Sequence, residues 1–137
     1  MSVRRRRTTV ELMARHSIGS LDDYSDGAAV ARDVDGLGVV VWRDGEEVCV
    51  VRNHCPHLGL SLTKGPGGMH AEEGAITCPW HASRFDLCSG DNLDWVVGFA
   101  GRGMPKWSQK LVAMGKKPSP LTTYTVIREG DELFVDL

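Results

Sequence analysis
A chain of 137 residues fits one domain and is long enough to bury a core without disulfides or metal. With 42% hydrophobic and 25% charged residues it is globular rather than disordered, and a formal net charge of −2 gives no electrostatic case for nucleic acid. No window approaches the ~20 apolar residues of a membrane-spanning helix.

In chain order, residues 1–9 read as a disordered basic arm carrying Arg4 to Arg7. The arginines could suggest a twin-arginine leader, but Thr8 to His16 is too polar and charged for the apolar region of a signal peptide, and a solvated basic arm is the better reading. A cytoplasmic location is therefore expected. Next come three β-rich runs, 28–32, 37–43 and 47–52, joined by Asp33-Val34-Asp35-Gly36 and Asp44-Gly45-Glu46. Both connections hold an Asp-Gly pair, a strong hairpin signal. Residues 58–74 contain Gly59, Gly65, Gly67, Gly68 and Gly74 and read as loop. Short strands are expected at 75–78 and 84–87. An insert over 95–120 is long for a structureless loop. Pro105 opens and Gly115 closes a short helix within it, with Trp107, Leu111 and Met114 on one face. A hairpin of 122–128 and 132–136, turning at Glu129-Gly130-Asp131, ends the chain. The expectation is a single all-β domain.

Charge is uneven along this frame. Gly19 to Glu47 holds eight acids and two bases, whereas Gly101 to Lys117 holds five bases and no acid. Lys106, Lys110, Lys116 and Lys117 of the insert either steer a docking partner or merely solvate a surface helix.

Four cysteines are too few for a disulfide scaffold at this length. Cys49, between Val48 and Val50, reads as a small buried strand residue, and Cys88 as a free thiol near a turn. His16, His54 and His70 read as surface or turn residues. Cys55-Pro56-His57 and Cys78-Pro79-Trp80-His81 are different. Each joins a cysteine to a histidine across one or two residues, directly after an expected strand, with twenty residues between His57 and Cys78. Two thiolates and two imidazoles suit zinc or an iron–sulfur centre. Zinc fingers usually group thiolates with thiolates and imidazoles with imidazoles. One of each per loop is what a two-iron cluster needs if one iron takes both cysteines and the other both histidines. A zinc site that only staples the fold is the competing reading.

Cys55-Pro56-His57-Leu58-Gly59 and Cys78-Pro79-Trp80-His81-Ala82-Ser83-Arg84-Phe85-Asp86-Leu87 resemble the two cluster-binding boxes of Rieske proteins. The chain is most similar to the small soluble ferredoxins of bacterial Rieske non-haem-iron oxygenase systems. That resemblance covers roughly residues 18–93 and resumes at Pro118; it says nothing of the N-terminal arm or of 94–117. It implies an antiparallel β-sandwich with a small inserted cluster-binding subdomain, about residues 53–90. It also implies one [2Fe–2S] cluster per chain held by Cys55, His57, Cys78 and His81, with Leu58, Trp80, Ser83, Phe85 and Pro118 around it. Pro118-Ser119-Pro120 matches the proline-rich segment that covers the cluster in the family. The implied function is one-electron carriage from a reductase to an oxygenase-type acceptor. A redox sensor, or a subunit of a larger oxidoreductase assembly, is the alternative. A catalytic oxygenase component needs a further two-His-one-carboxylate iron domain, and too few residues remain to build one.

Two neutral imidazoles in place of two thiolates remove negative charge, so the potential lies above that of a four-cysteine ferredoxin. The added electron belongs on the His-bound iron, and loss of the second imidazole proton couples reduction to pH. High-potential Rieske proteins add a disulfide between the boxes and a tyrosine hydroxyl near a ligand sulfur. Here Leu60 and Trp80 occupy the two cysteine positions and Phe85 the tyrosine position, while Ser83 keeps a hydroxyl. Two losses against one retention place the potential in the low half of the Rieske range.

Overall fold
The computed structural model describes residues 15–56, 59–65, 68–80, 82–94, 98–99, 102–103 and 119–137. The basic arm, the helix expected between Pro105 and Gly115, and the lysines of the insert lie outside the described residues.

Strands dominate. The chain opens with β1 (Arg15–Ser20) and a short 3-10 turn at Leu21–Asp23. It continues through β2 (Ala29–Val34), β3 (Leu37–Asp44) and β4 (Glu47–Arg52). Four strands of three residues come next: β5 (His70–Glu72), β6 (Ala75–Thr77), β7 (Arg84–Asp86) and β8 (Asn92–Asp94). A two-residue pair, β9 (Gly98–Phe99) and β10 (Arg102–Gly103), stands in the insert. The chain closes with β11 (Thr123–Tyr124), β12 (Val126–Glu129) and β13 (Glu132–Asp136).

All pairings are antiparallel among the described residues, and they build three main sheets, ordered β1-β13-β12, β11-β4-β3-β2 and β5-β6-β7-β8. The hairpins expected from Asp-Gly are present. The β2–β3 pair closes at Val34 opposite Leu37, with Asp35 and Gly36 both at positive φ (52° and 84°) and the Asp33 carboxylate accepting the Gly36 N–H at 2.8 Å.

The middle sheet is apolar on both faces, and this is why 39–42 is a continuous apolar run rather than an alternating one. Val39 and Val41 of β3, with Val48 and Val50 of β4, face the first sheet and pack with Ile18, Tyr24, Leu133 and Val135. Val40 and Trp42, with Val51, face the other way and pack with Leu62, Ile76, Phe85, Leu87 and Leu121 beneath the third sheet. Two cores thus share one sheet.

The expected single strand over 122–128 divides: β11 pairs with β4 of the middle sheet, and β12 with β13 of the first. The expected loop over 58–74 contains β5, which pairs with β6 through Ala71 opposite Ile76.

Candidate metal centre
The first Cys–His box follows β4 of the middle sheet and the second follows β6 of the third sheet. Cys55 leaves β4 two residues after Asn53, and Cys78 directly follows β6. Both cysteines are buried, at 2% and 1% exposure, in the same apolar cluster. His57, Leu58, His81 and Pro118 lie outside the described residues.

The two boxes are copies of one backbone device. In the first, the Cys55 N–H donates to the Leu60 C=O at 2.8 Å, and the Gly59 N–H donates to the Cys55 C=O at 2.8 Å. In the second, the Cys78 N–H donates to the Ser83 C=O at 2.8 Å, and the Ala82 N–H to the Cys78 C=O at 3.1 Å. Each cysteine therefore heads a closed loop whose fifth residue is left-handed, Gly59 at φ 73° and Ala82 at φ 60°. Glycine adopts that conformation without cost and alanine does not. In sequence the box histidines follow their cysteines by two and three residues.

Asn53, which sequence reasoning missed, holds the first loop. Its side-chain oxygen accepts the Leu62 N–H at 2.7 Å and the Ser61 hydroxyl at 3.3 Å, and its amide donates to Thr63 Oγ1 at 2.8 Å. A polar residue just after a strand gives no sign of this in sequence. The loop then closes on the second box: a Cβ added at Gly65 would fall 2.8 Å from both the Trp80 Nε1 and the Pro79 Cγ, so only glycine admits this approach. Trp80 itself is half-buried against the cluster-side core.

Phe85 and Ser83 are both fully buried, Phe85 within the same core as the two cysteines. Arg84 of β7 lies 3.6 Å from the Asp94 carboxylate of β8. Asp86 accepts the N–H groups of Ser89 and Cys88 at 2.8 Å each, and these bonds, Ser89 first, hold its carboxyl below the usual carboxylate range. Burial, followed by the Arg52 charge, lowers the pKa of His54.

One expectation is overturned. Cys88 is not a free thiol, because it forms a disulfide with Cys49, with Cα atoms 4.9 Å apart. Cys49 is half-buried rather than buried. Strand pleating turns Cys49 to the Trp42 side of the middle sheet, and the Asp86 turn brings Cys88 over it. A sequence separation of 39 conceals that meeting. Cys55 and Cys78 take no part in it.

The donor set suits an iron–sulfur centre: two buried cysteines in matched loops of one apolar core, neither of them in a disulfide. A family model for the Rieske [2Fe-2S] domain matches residues 14–96. The chain is 26% identical over 83 residues to the anthranilate 1,2-dioxygenase ferredoxin subunit of Burkholderia cepacia, covering 61% of this chain and 73% of that one. It is 25% identical over 115 residues to the 3-phenylpropionate/cinnamic acid dioxygenase ferredoxin subunit of Shigella boydii, covering 84% and 86%. Among solved structures it is similar to the ferredoxin of carbazole 1,9a-dioxygenase from Nocardioides aromaticivorans, with a TM-score of 0.57, 31% identity, and 90% and 95% of the two chains covered. The fold also matches a chain in the complex of reduced oxygenase and oxidized ferredoxin of carbazole 1,9a-dioxygenase, at a TM-score of 0.62, 19% identity and coverage of 89% and 92%. Among the described residues no helix is long and apolar enough to cross a membrane.

Proposed function
The chain belongs to the Rieske [2Fe-2S] family, and on that premise we propose that it is the ferredoxin of an oxygenase system, taking single electrons from a reductase and delivering them to a terminal oxygenase. The observation that carries this reading is the pair of matched loops that bury Cys55 and Cys78 in one core. The family's cofactor is one [2Fe–2S] cluster per chain. When bound, it accepts and returns one electron at a potential raised by imidazole ligation.

The residues that would hold it are Cys55 and Cys78 on one iron and His57 and His81 on the other. Cys55 and Cys78 supply thiolates from positions where solvent is excluded, which protects them from oxidation. The Asn53 network keeps the first loop in one conformation, and Trp80 against Gly65 joins the two loops. Phe85, apolar and fully buried, offers no hydroxyl to a ligand sulfur, which favours a low potential. Pro118, beside Ser119 and Pro120, is the assigned cover, and Leu58 the assigned apolar neighbour of His57. A cytoplasmic location suits a reductase–oxygenase pair.

Iron and acid-labile sulfide analysis tests the cofactor, with two of each per chain expected. Cys55→Ser or Cys78→Ser abolishes the visible spectrum, since a neutral hydroxyl is a poor iron ligand beside a thiolate. For the carrier role, the reduced protein mixed with a Rieske terminal oxygenase in a stopped-flow cell is reoxidised in one-electron steps. Zinc without iron after iron-replete expression, or a reduced protein that no terminal oxygenase reoxidises, overturns the reading.

A further inference from the structure
We propose that Cys49 and Cys88 form a second redox site, a reducible disulfide that closes the cluster-binding region into a covalent ring and is opened by an external dithiol. The chain between them contains both Cys–His boxes, so this single bond encloses every proposed ligand. It ties β4, which leads into the first box, to the turn that follows β7 and the second.

That turn is a junction. The Leu87 N–H donates to the Gly74 C=O at 2.8 Å, the Gly90 N–H to the Asp86 C=O at 2.9 Å, and the Leu121 N–H to the Gly90 C=O at 2.8 Å. Leu121 is buried in the cluster-side core, one residue after Pro120. A shift of the turn is thus passed to the segment proposed to cover the cluster.

The bond is reachable while the box cysteines are not. Cys88 is exposed, and the disulfide borders a surface recess of about 360 Å³ lined by Glu46, Glu47, Cys49, Cys88, Tyr124 and Arg128. An attacking thiolate meets the exposed Cys88 sulfur, forms a mixed disulfide and releases Cys49 as thiolate, which takes up a proton. The second thiol of the reductant then displaces Cys88, leaving two thiols on this chain and a disulfide on the reductant. Two electrons and two protons pass from the dithiol. Glu47 fits the reduced state: its Oε1 lies 4.0 Å from the Cys49 sulfur, placed to accept the new S–H.

The proposal stands on this pair and not on the carrier reading, which thiol mapping leaves untouched. The cluster-loaded protein, purified without thiols, is alkylated with iodoacetamide before and after dithiothreitol, and the peptides are mapped by mass. No label at Cys49 or Cys88 is expected before reduction, and both are labelled after it, with one dithiol consumed per chain. Bleaching under a chelator should rise at least fivefold on reduction. The Cys49→Ala/Cys88→Ala double variant bleaches at the fast rate with or without dithiothreitol, which separates opening of the ring from reduction of the cluster. If that variant does not load, a fall in the thermal midpoint of the wild type on reduction carries the same test. Label at both cysteines before any reductant overturns the proposal, as does a zinc ion retained at Glu47, Cys49 and Cys88, whose ligand atoms lie within 4.8 Å of one another. A bleaching rate and a thermal midpoint both indifferent to reduction also overturn it.

Discussion

The matched boxes differ at one position, and exchanging the two residues there measures the backbone directly. Ala82 holds φ 60° where Gly59 holds φ 73° in the sister loop. A non-glycine residue in this left-handed region costs about 1–2 kcal/mol. Glycine returns roughly 0.5–1 kcal/mol of that through the greater freedom of the unfolded chain. Ala82→Gly should therefore stabilise the protein by about 0.5–1 kcal/mol, which for a chain of this size raises Tm by roughly 2–4 °C. Gly59→Ala carries the same conformational term with opposite sign. It also places a Cβ 3.0 Å from His54 Cε1 and 3.3 Å from Nε2, tighter than ordinary contact. That variant should lose about 1–2 kcal/mol, a fall of roughly 4–8 °C. Thermal unfolding followed by circular dichroism, at matched cluster occupancy, reads both. An Ala82→Gly variant with unchanged or lower Tm would mean the second loop is not left-handed at that residue, and the equivalence of the boxes would fall with it.

Other consequences are as direct. Asn53→Ala removes the acceptor for Leu62 and Ser61 and the donor to Thr63, and should cost roughly 2–3 kcal/mol in a urea titration. Asp86 has a depressed carboxyl pKa when folded, chiefly from the Ser89 backbone N–H. Its contribution is therefore present above the ordinary carboxylate value and lost as pH falls through the depressed one. Asp86→Asn should narrow the stability difference between neutral and acid pH, which acid titration of Tm at constant ionic strength measures. Voltammetry should place the midpoint nearer the ~−150 mV end than the ~+300 mV end of the Rieske range, falling with alkaline pH as imidazole protons leave. Phe85→Tyr should raise it, and a midpoint well above zero in the wild type would refute the argument from Phe85, Leu60 and Trp80.

Much of the architecture is legible in residue order. Short apolar β-rich runs bounded by charged residues in Glu47–Arg52 and Glu132–Asp136 specify those strands to the residue, and Asp-Gly pairs specify the hairpin turns. The boxes announce themselves by chemistry, and the fold does bring Cys55 and Cys78 into one core. What escapes is whatever depends on a distant partner. β1 is legible only through Ile18, because His16 and Ser17 are polar and a register shift between Ser17 and Gly19 breaks the alternation. β5 and β8, at three residues each, are too short to show a period and exist because β6 and β7 offer them edges. At Thr125 the chain changes sheets inside a run that reads as continuous. The Cys49–Cys88 meeting is of the same kind.

The sharing of one sheet by two cores sets a limit on engineering. Of the ten residues buried around the boxes among the described ones, Val40, Trp42, Val51 and Leu121 come from outside residues 53–90. A graft that moves only the box-bearing segment onto another scaffold leaves behind these four, including the one tryptophan among the ten. A recipient must therefore supply a β-sheet with large apolar side chains on the receiving face, at the pleat positions that Val40, Trp42 and Val51 occupy here. Transplanting the metal site means transplanting half of β3 and β4 with it.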